Sequence, residues 1–126
     1  MTPEKIPLLV VEDEPLIQSL IRILLEGSAY EVTAAESLLA AIHVLAQSRF
    51  DVILCDLSLP DSQMNETVSV MAQMARGAKV VVMTGWDDEA IFQMCRRQGA
   101  VKVFQKGATY WCLDLVSELD RIRRMA

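Results

Sequence analysis

Five short apolar runs alternate with longer segments whose apolar residues recur at helical spacing, and this alternation restricts the fold most. The runs are too short for helices and are bounded by turn signals, so each predicts a buried strand. They lie at residues 6–11, 30–34, 52–55, 78–83 and 101–104. An amphipathic stretch follows each run, and the last predicts a helix over residues 108–125. Regular strand–helix alternation predicts an α/β fold, with a parallel sheet covered by helices on both faces.

Capping residues indicate where several of these helices begin and end. Pro15 suits the first turn of the first helix, and Ser37 suits the N-terminus of the second. For the third helix, Ser62 or Asn65 is the predicted cap, and Gly77 the predicted end. These signals leave connections of only a few residues, so we find no linker within the chain.

The composition limits the classes of function that this chain can have. A chain of 126 residues, 52% of them hydrophobic, fits one domain with a sizeable core, so residues 1–126 predict a single domain. The net charge of −5 argues against direct nucleic-acid binding, which needs a basic surface. The chain has three cysteines without CxxC spacing, no signal-peptide pattern and no run approaching the ~20 apolar residues that span a bilayer. We therefore expect a cytoplasmic protein that does not enter a membrane.

Polar side chains follow four of the five predicted strands at the point where each strand ends. Glu12 and Asp13 follow the first, Asp56 the third, Thr84 the fourth and Lys106 the fifth. The carboxyl ends of parallel strands share one edge of the sheet, where ligands bind in open α/β folds. Alone, each residue would more often be a turn former, a helix cap or a surface charge. Their joint placement predicts one site with three carboxylates, a hydroxyl and an ammonium group.

This set of groups suits phosphoryl transfer to a carboxylate. Three carboxylates held close together repel one another. A divalent cation such as Mg²⁺, which prefers oxygen ligands, would neutralise this negative charge. The ammonium group of Lys106 and the hydroxyl of Thr84 can interact with an anion in the same place. Aspartate is one of the side chains that accept phosphoryl groups. The sequence therefore predicts that Asp56 receives a phosphoryl group beside Mg²⁺ and Lys106.

Four stretches in this order and spacing resemble the receiver domain of two-component response regulators. They are Val10-Val11-Glu12-Asp13-Glu14, Ile53-Leu54-Cys55-Asp56-Leu57-Ser58-Leu59-Pro60-Asp61, Val82-Met83-Thr84-Gly85 and Phe104-Gln105-Lys106-Gly107. The resemblance implies a flavodoxin-like, doubly wound (βα)₅ fold with strand order 2-1-3-4-5. It also implies a single receiver domain over residues 1–126, which acts as a signalling switch and is not an enzyme beyond its self-catalysed phosphorylation and autodephosphorylation.

The resemblance also implies a role for each residue at the end of a strand. Asp56 would be the phosphoacceptor, Lys106 would pair with the phosphoryl oxygens, and Thr84 would hydrogen-bond the phosphoryl group and carry the switch. The metal residues would be Glu12, Asp13, Asp56 and Ser58. Asp13 and Asp56 would bind Mg²⁺ directly, the main-chain carbonyl of Ser58 would complete the protein ligands, and Glu12 would act through a water.

A receiver domain implies particular partners. The phosphodonor would be a sensor histidine kinase or a histidine phosphotransfer protein. The surface formed by the fourth helix, the fifth strand and the fifth helix is the expected output surface, and it could serve a homodimer or another protein. Charged residues lie along it, although charged helix faces are as often merely solvated: Arg96, Arg97, Lys102, Asp114, Glu118 and Arg121.

The same residues fit three other interpretations less well. The alternative left open is a pseudo-receiver, a protein-interaction module that is not phosphorylated, because Val103 and Met64 depart from the residues common in the family. A phosphatase of the haloacid-dehalogenase kind would need an acid at the position of Ser58. A flavodoxin-like cofactor binder would need a Gly-rich phosphate loop where Glu12, Asp13 and Glu14 stand.

Overall fold

The computed structural model of the chain describes residues 4–107 and 111–125, and in it strands and helices alternate regularly. The strands are β1 (Ile6–Val11), β2 (Tyr30–Ala35), β3 (Val52–Asp56), β4 (Lys79–Thr84) and β5 (Ala100–Gln105). The helices are α1 (Pro15–Leu25), α2 (Leu38–Gln47), α3 (Met64–Met74), α4 (Glu89–Arg97) and α5 (Leu115–Arg123). No helix in the described part is long and apolar enough to cross a membrane.

The five strands form one parallel sheet in the order β2-β1-β3-β4-β5. This confirms the predicted α/β fold class and the strand order that the family resemblance implied. Every residue of the central strand β3 is buried, as its continuous apolar sequence predicts for a strand covered on both faces. The chain order reverses between β1 and β3, which places β3 and Asp56 beside the crevice where such sheets bind ligands.

Alternate residues of the strands point into two apolar layers. Leu54 of β3 packs on the side of α1 and α5, whereas its neighbours Ile53 and Cys55 pack on the side of α2 and α3. A third group of buried residues, around Val82, joins α3 to α4. Because both faces of the sheet are covered, the polar groups at the strand ends are held by a rigid frame.

Two of the local predictions were wrong. The fifth helix begins at Leu115, because residues 111–114 form turns. Its predicted start at residue 108 lies outside the described residues. The third helix begins after Gln63 without a side-chain cap. The predicted caps are engaged elsewhere, because the hydroxyl of Ser62 bonds that of Thr67 and the side chain of Asn65 accepts from the adjacent Glu66 N–H at 3.0 Å.

Candidate phosphoryl-acceptor site

The strand ends bring the predicted site residues together at one edge of the sheet. Asp56 and Thr84 are the last residues of β3 and β4, while Glu12 and Lys106 directly follow β1 and β5. Main-chain hydrogen bonds extend the sheet to these residues, from Glu12 N–H to Ala35 at 2.9 Å and from Lys106 N–H to Thr84 at 2.6 Å. Glu12, Asp56 and Thr84 are buried, so the sheet itself fixes three of the four positions.

Lys106 lies between the two buried carboxylates. Its Nζ is 3.2 Å from Glu12 Oε1 and 3.2 Å from Asp56 Oδ1, and its side chain is only 16% exposed. A buried carboxylate without a partner is costly, so this cation stabilises both acids in the folded chain. The ammonium group is therefore in contact with the carboxylate that the sequence predicts to accept a phosphoryl group.

The pKa of Glu12 shows that one cation does not fully balance this site. Burial, then the hydrogen bond and negative charge of Asp56, raise the pKa of Glu12 from 4.5 to about 7, although Lys106 acts in the opposite direction. Burial alone would lower the pKa of Lys106, but the charges of Asp56 and Glu12 raise it overall. Lys106 is thus held as a cation between the two carboxylates.

Asp13 supplies a third carboxylate from the exposed side of the site. Carboxylate oxygens of Glu12, Asp13 and Asp56 all lie within 4.8 Å of one another. Three acidic oxygen donors opposed by one ammonium group suit a hard divalent cation such as Mg²⁺, which binds carboxylates and retains several waters. The exposure of Asp13 leaves room for such waters. The donor set of this chain therefore fits Mg²⁺.

Two loops border Asp56, and they differ in how they are held. The β3–α3 loop (residues 57–63) begins with a hydrogen bond from Leu57 N–H to Met83 at 2.9 Å. The main-chain N–H of Ser58 then donates to Asp56 Oδ1 at 3.3 Å, which places Ser58 beside this carboxylate. In the β4–α4 loop (residues 85–88), every residue is exposed, including Trp86 at 51%.

Thr84 lies at the same edge, but its hydroxyl is engaged by the β4–α4 loop. Its Oγ1 accepts a hydrogen bond from the main-chain N–H of Trp86 at 3.1 Å. Within the described residues it makes no hydrogen bond to Asp56. Sequence reasoning placed Thr84 at the carboxyl end of β4, where the structure has it, but did not foresee this bond, because a main-chain donor leaves no signal in the residue types.

Residues 8–110 match the profile of the response regulator receiver domain. The chain belongs to this family. Within the family, it is 28% identical over 115 residues to the transcriptional regulatory protein ZraR of Klebsiella oxytoca, which is 91% of this chain and 26% of ZraR. It is 26% identical over 106 residues to sporulation initiation phosphotransferase F of Bacillus subtilis, 84% of either chain. The receiver thus spans about a quarter of the first relative and most of the second.

A solved receiver domain has the same fold. The receiver domain of the sensor histidine kinase PA1611 from Pseudomonas aeruginosa superposes with a TM-score of 0.80 at 22% identity, covering 96% of this chain and 99% of that one. That structure holds a magnesium ion coordinated in its active-site cleft. As a receiver domain, the present chain is a module of two-component phosphorelay signalling.

Proposed function

We propose that this receiver accepts a phosphoryl group on Asp56, in a Mg²⁺-dependent reaction with a phosphohistidine of a sensor histidine kinase or a histidine phosphotransfer protein. One observation carries the proposal: Asp56 shares Lys106 with Glu12 and shares a cluster of carboxylate oxygens with Glu12 and Asp13. Such a site would attract an incoming phosphoryl group through the ammonium group of Lys106 and would bind a cation through the carboxylates.

The transfer needs no further reactant. A carboxylate oxygen of Asp56 attacks phosphorus, the bond from phosphorus to the imidazole nitrogen breaks, and an acyl phosphate forms while the imidazole leaves with the bonding electron pair. Lys106, 3.2 Å from Asp56 Oδ1, would pair with the transferred oxygens. Mg²⁺, held by Asp13, Asp56 and the Ser58 carbonyl, with Glu12 acting through a water, would neutralise the remaining charge.

We assign the switch to Thr84 and the exposed loop beside it. The hydroxyl of Thr84 accepts from the Trp86 N–H and keeps its own O–H to donate to a phosphoryl oxygen, so a movement of this side chain towards Asp56 would displace the β4–α4 loop with it or weaken its bond to Trp86. Because the residues of the β4–α4 loop are exposed, the loop can follow this movement without opening a core. The signal would then reach α4, whose first N–H groups are capped by Asp88 of the same loop.

The proposed output surface is formed by α4, β5 and α5, and a second copy or another protein would dock there. Two of its basic residues already pair within their own helices or caps, Arg96 with Glu89 at 3.4 Å and Arg121 with Glu118. Sedimentation velocity before and after phosphorylation tests whether this face forms a homodimer. We also propose a cytoplasmic location, and no direct nucleic-acid binding by this domain because its net charge is −5.

Intact-protein mass after incubation with acetyl phosphate tests the chemistry. We expect a phosphoryl adduct on the wild type with Mg²⁺, no adduct with a chelator, and none on Asp56→Asn. Asp51→Asn is the matched control, because Asp51 lies just before the opposite end of the same strand. An unchanged adduct on Asp56→Asn would contradict the assignment of the acceptor. No adduct on any variant, together with no Mg²⁺ binding, would favour the pseudo-receiver, which Val103 and Met64 support.

A further inference from the structure

The carboxylate of Asp61, in the β3–α3 loop, caps a helix to which that loop is not connected. Asp61 Oδ1 accepts from Leu38 N–H at 2.8 Å, and Oδ2 accepts from Leu39 N–H at 3.0 Å. These are the first two residues of α2, which lie 23 and 22 residues away in the sequence. The helix's own cap, Ser37, accepts only from Ala40 N–H, at 3.0 Å. Asp61 is therefore a link between two elements and not a local turn former.

The segment between Asp56 and Asp61 is anchored at every second residue, at Leu57, Leu59 and Asp61. Leu57 and Leu59 are both buried, but in different apolar clusters, so the loop is anchored on two sides. Pro60 restricts the backbone immediately before Asp61. Ser58 lies in the middle of this short segment, and its N–H holds Asp56 Oδ1, the oxygen that also accepts from Lys106.

Asp61 serves both the helix and the loop. Leu39 is 71% exposed, so water can replace the carboxylate at its N–H, whereas Leu38 is buried and its N–H would lose its partner. Losing Asp61 removes the hydrogen bonds between the loop and α2, and leaves the packing of Leu59 in the apolar cluster that also holds Leu38. The hydrogen bonds from Leu39 and Leu38 also hold the pKa of Asp61 below its ordinary value, so the link is ionised at neutral pH.

We propose that Asp61 is a positioning residue for the phosphoacceptor and its metal: by tying the β3–α3 loop to α2, it fixes Ser58 against Asp56. The proposal rests on the proposed function in that Ser58 is taken as a metal ligand through its carbonyl. A residue that orients metal ligands without touching the metal commonly changes metal affinity by about tenfold or more when it is replaced.

The test compares two caps of the same helix. Ser37→Ala removes a cap whose side chain, within the described residues, is hydrogen-bonded to Ala40 and not to the loop, whereas Asp61→Ala removes both a cap and the link. Mg²⁺ affinity is measured by calorimetry without any phosphodonor, and amide exchange is measured at residues 57–59. We expect Asp61→Ala to weaken Mg²⁺ binding about tenfold and to speed exchange, Asp61→Asn to do so less, and Ser37→Ala to change neither.

Each result separates the role of Asp61 from the function of the site. If Asp61→Ala, folded by circular dichroism, binds Mg²⁺ as tightly as wild type, Asp61 is a helix cap only and the proposal fails. If Ser37→Ala weakens Mg²⁺ binding equally, the position of α2 matters and the link does not, which also overturns it. If the wild type binds no Mg²⁺, the proposed function fails, and this role of Asp61 fails with it.

Discussion

The two loops beside Asp56 differ in how firmly they are attached to the rest of the fold. The β3–α3 loop buries Leu57 and Leu59 and is bonded to α2 through Asp61. The residues of the β4–α4 loop are all exposed, and hydrogen bonds join it to the neighbouring strands, from the Trp86 N–H to Thr84 and from the Gln105 side chain to the Gly85 carbonyl. A switch needs both properties, because ligands must be held in place on one side while a neighbouring segment moves on the other.

The largest expected difference between the loops is in stability. Leu57→Ala should lower the free energy of unfolding by about 2–5 kcal/mol, since it leaves a cavity in a close-packed cluster. Trp86→Ala should lower it by about 1 kcal/mol or less, because half of that side chain is already in water. Urea denaturation of the two variants measures both values. Equal losses of stability would show that the two loops are packed equally tightly, and would contradict this difference between them.

Mg²⁺ should act on the two loops at different stages. At a Mg²⁺ concentration 100 times its Kd, binding should raise the free energy of unfolding by about 2.7 kcal/mol, and a chelator should reverse this. Because the proposed ligand Ser58 is in the β3–α3 loop, Mg²⁺ alone should slow amide exchange there, and exchange at residues 85–88 should change only after phosphorylation. Hydrogen exchange read by mass spectrometry checks both. A response of residues 85–88 to Mg²⁺ alone would contradict the assignment.

The smallest expected effect is the pH dependence of the link to α2. The pKa of Asp61 is below its ordinary 3.8 in the folded chain, so its carboxylate stabilises the fold above about pH 4, and this contribution is lost as the pH falls through the folded pKa. The stability difference between wild type and Asp61→Asn should therefore be constant above about pH 5 and shrink below about pH 4, as the pH falls towards the folded pKa. Ser37→Ala is the control, because a hydroxyl does not titrate there. A constant difference for both would mean that the Asp61 carboxylate contributes nothing as a charge.

The residues at the strand ends could be placed from the sequence because parallel topology carries them to one edge. Glu12, Asp56 and Lys106 are far apart in the chain, but each ends an apolar run of nearly equal length. The predicted strand bounds agree with the structure to within a residue or two, because a strand covered on both faces has a continuous apolar sequence.

Asp61, by contrast, could not be assigned from the sequence, and the reason is physical. A cap is normally sought within a few residues of the helix it serves, whereas Asp61 caps a helix more than twenty residues earlier. Ser62 and Asn65 fit the local rule and still do not cap α3. The start of α5 was missed because helical spacing of apolar residues extends back through Cys112, while the backbone of residues 111–114 forms turns.

Helix α2 carries no acidic residue in its first turn and no basic residue in its last. Both charges that match its dipole come from later in the chain: Asp61 at its N-terminus, and Arg76 at its C-terminus, where the guanidinium donates to the carbonyls of Leu45 and Ser48. During synthesis, residues 38–47 therefore leave the ribosome well before the groups that secure both helix ends. This helix should become stable only once residue 76 has emerged, so α2 and α3 should form together as one unit of folding.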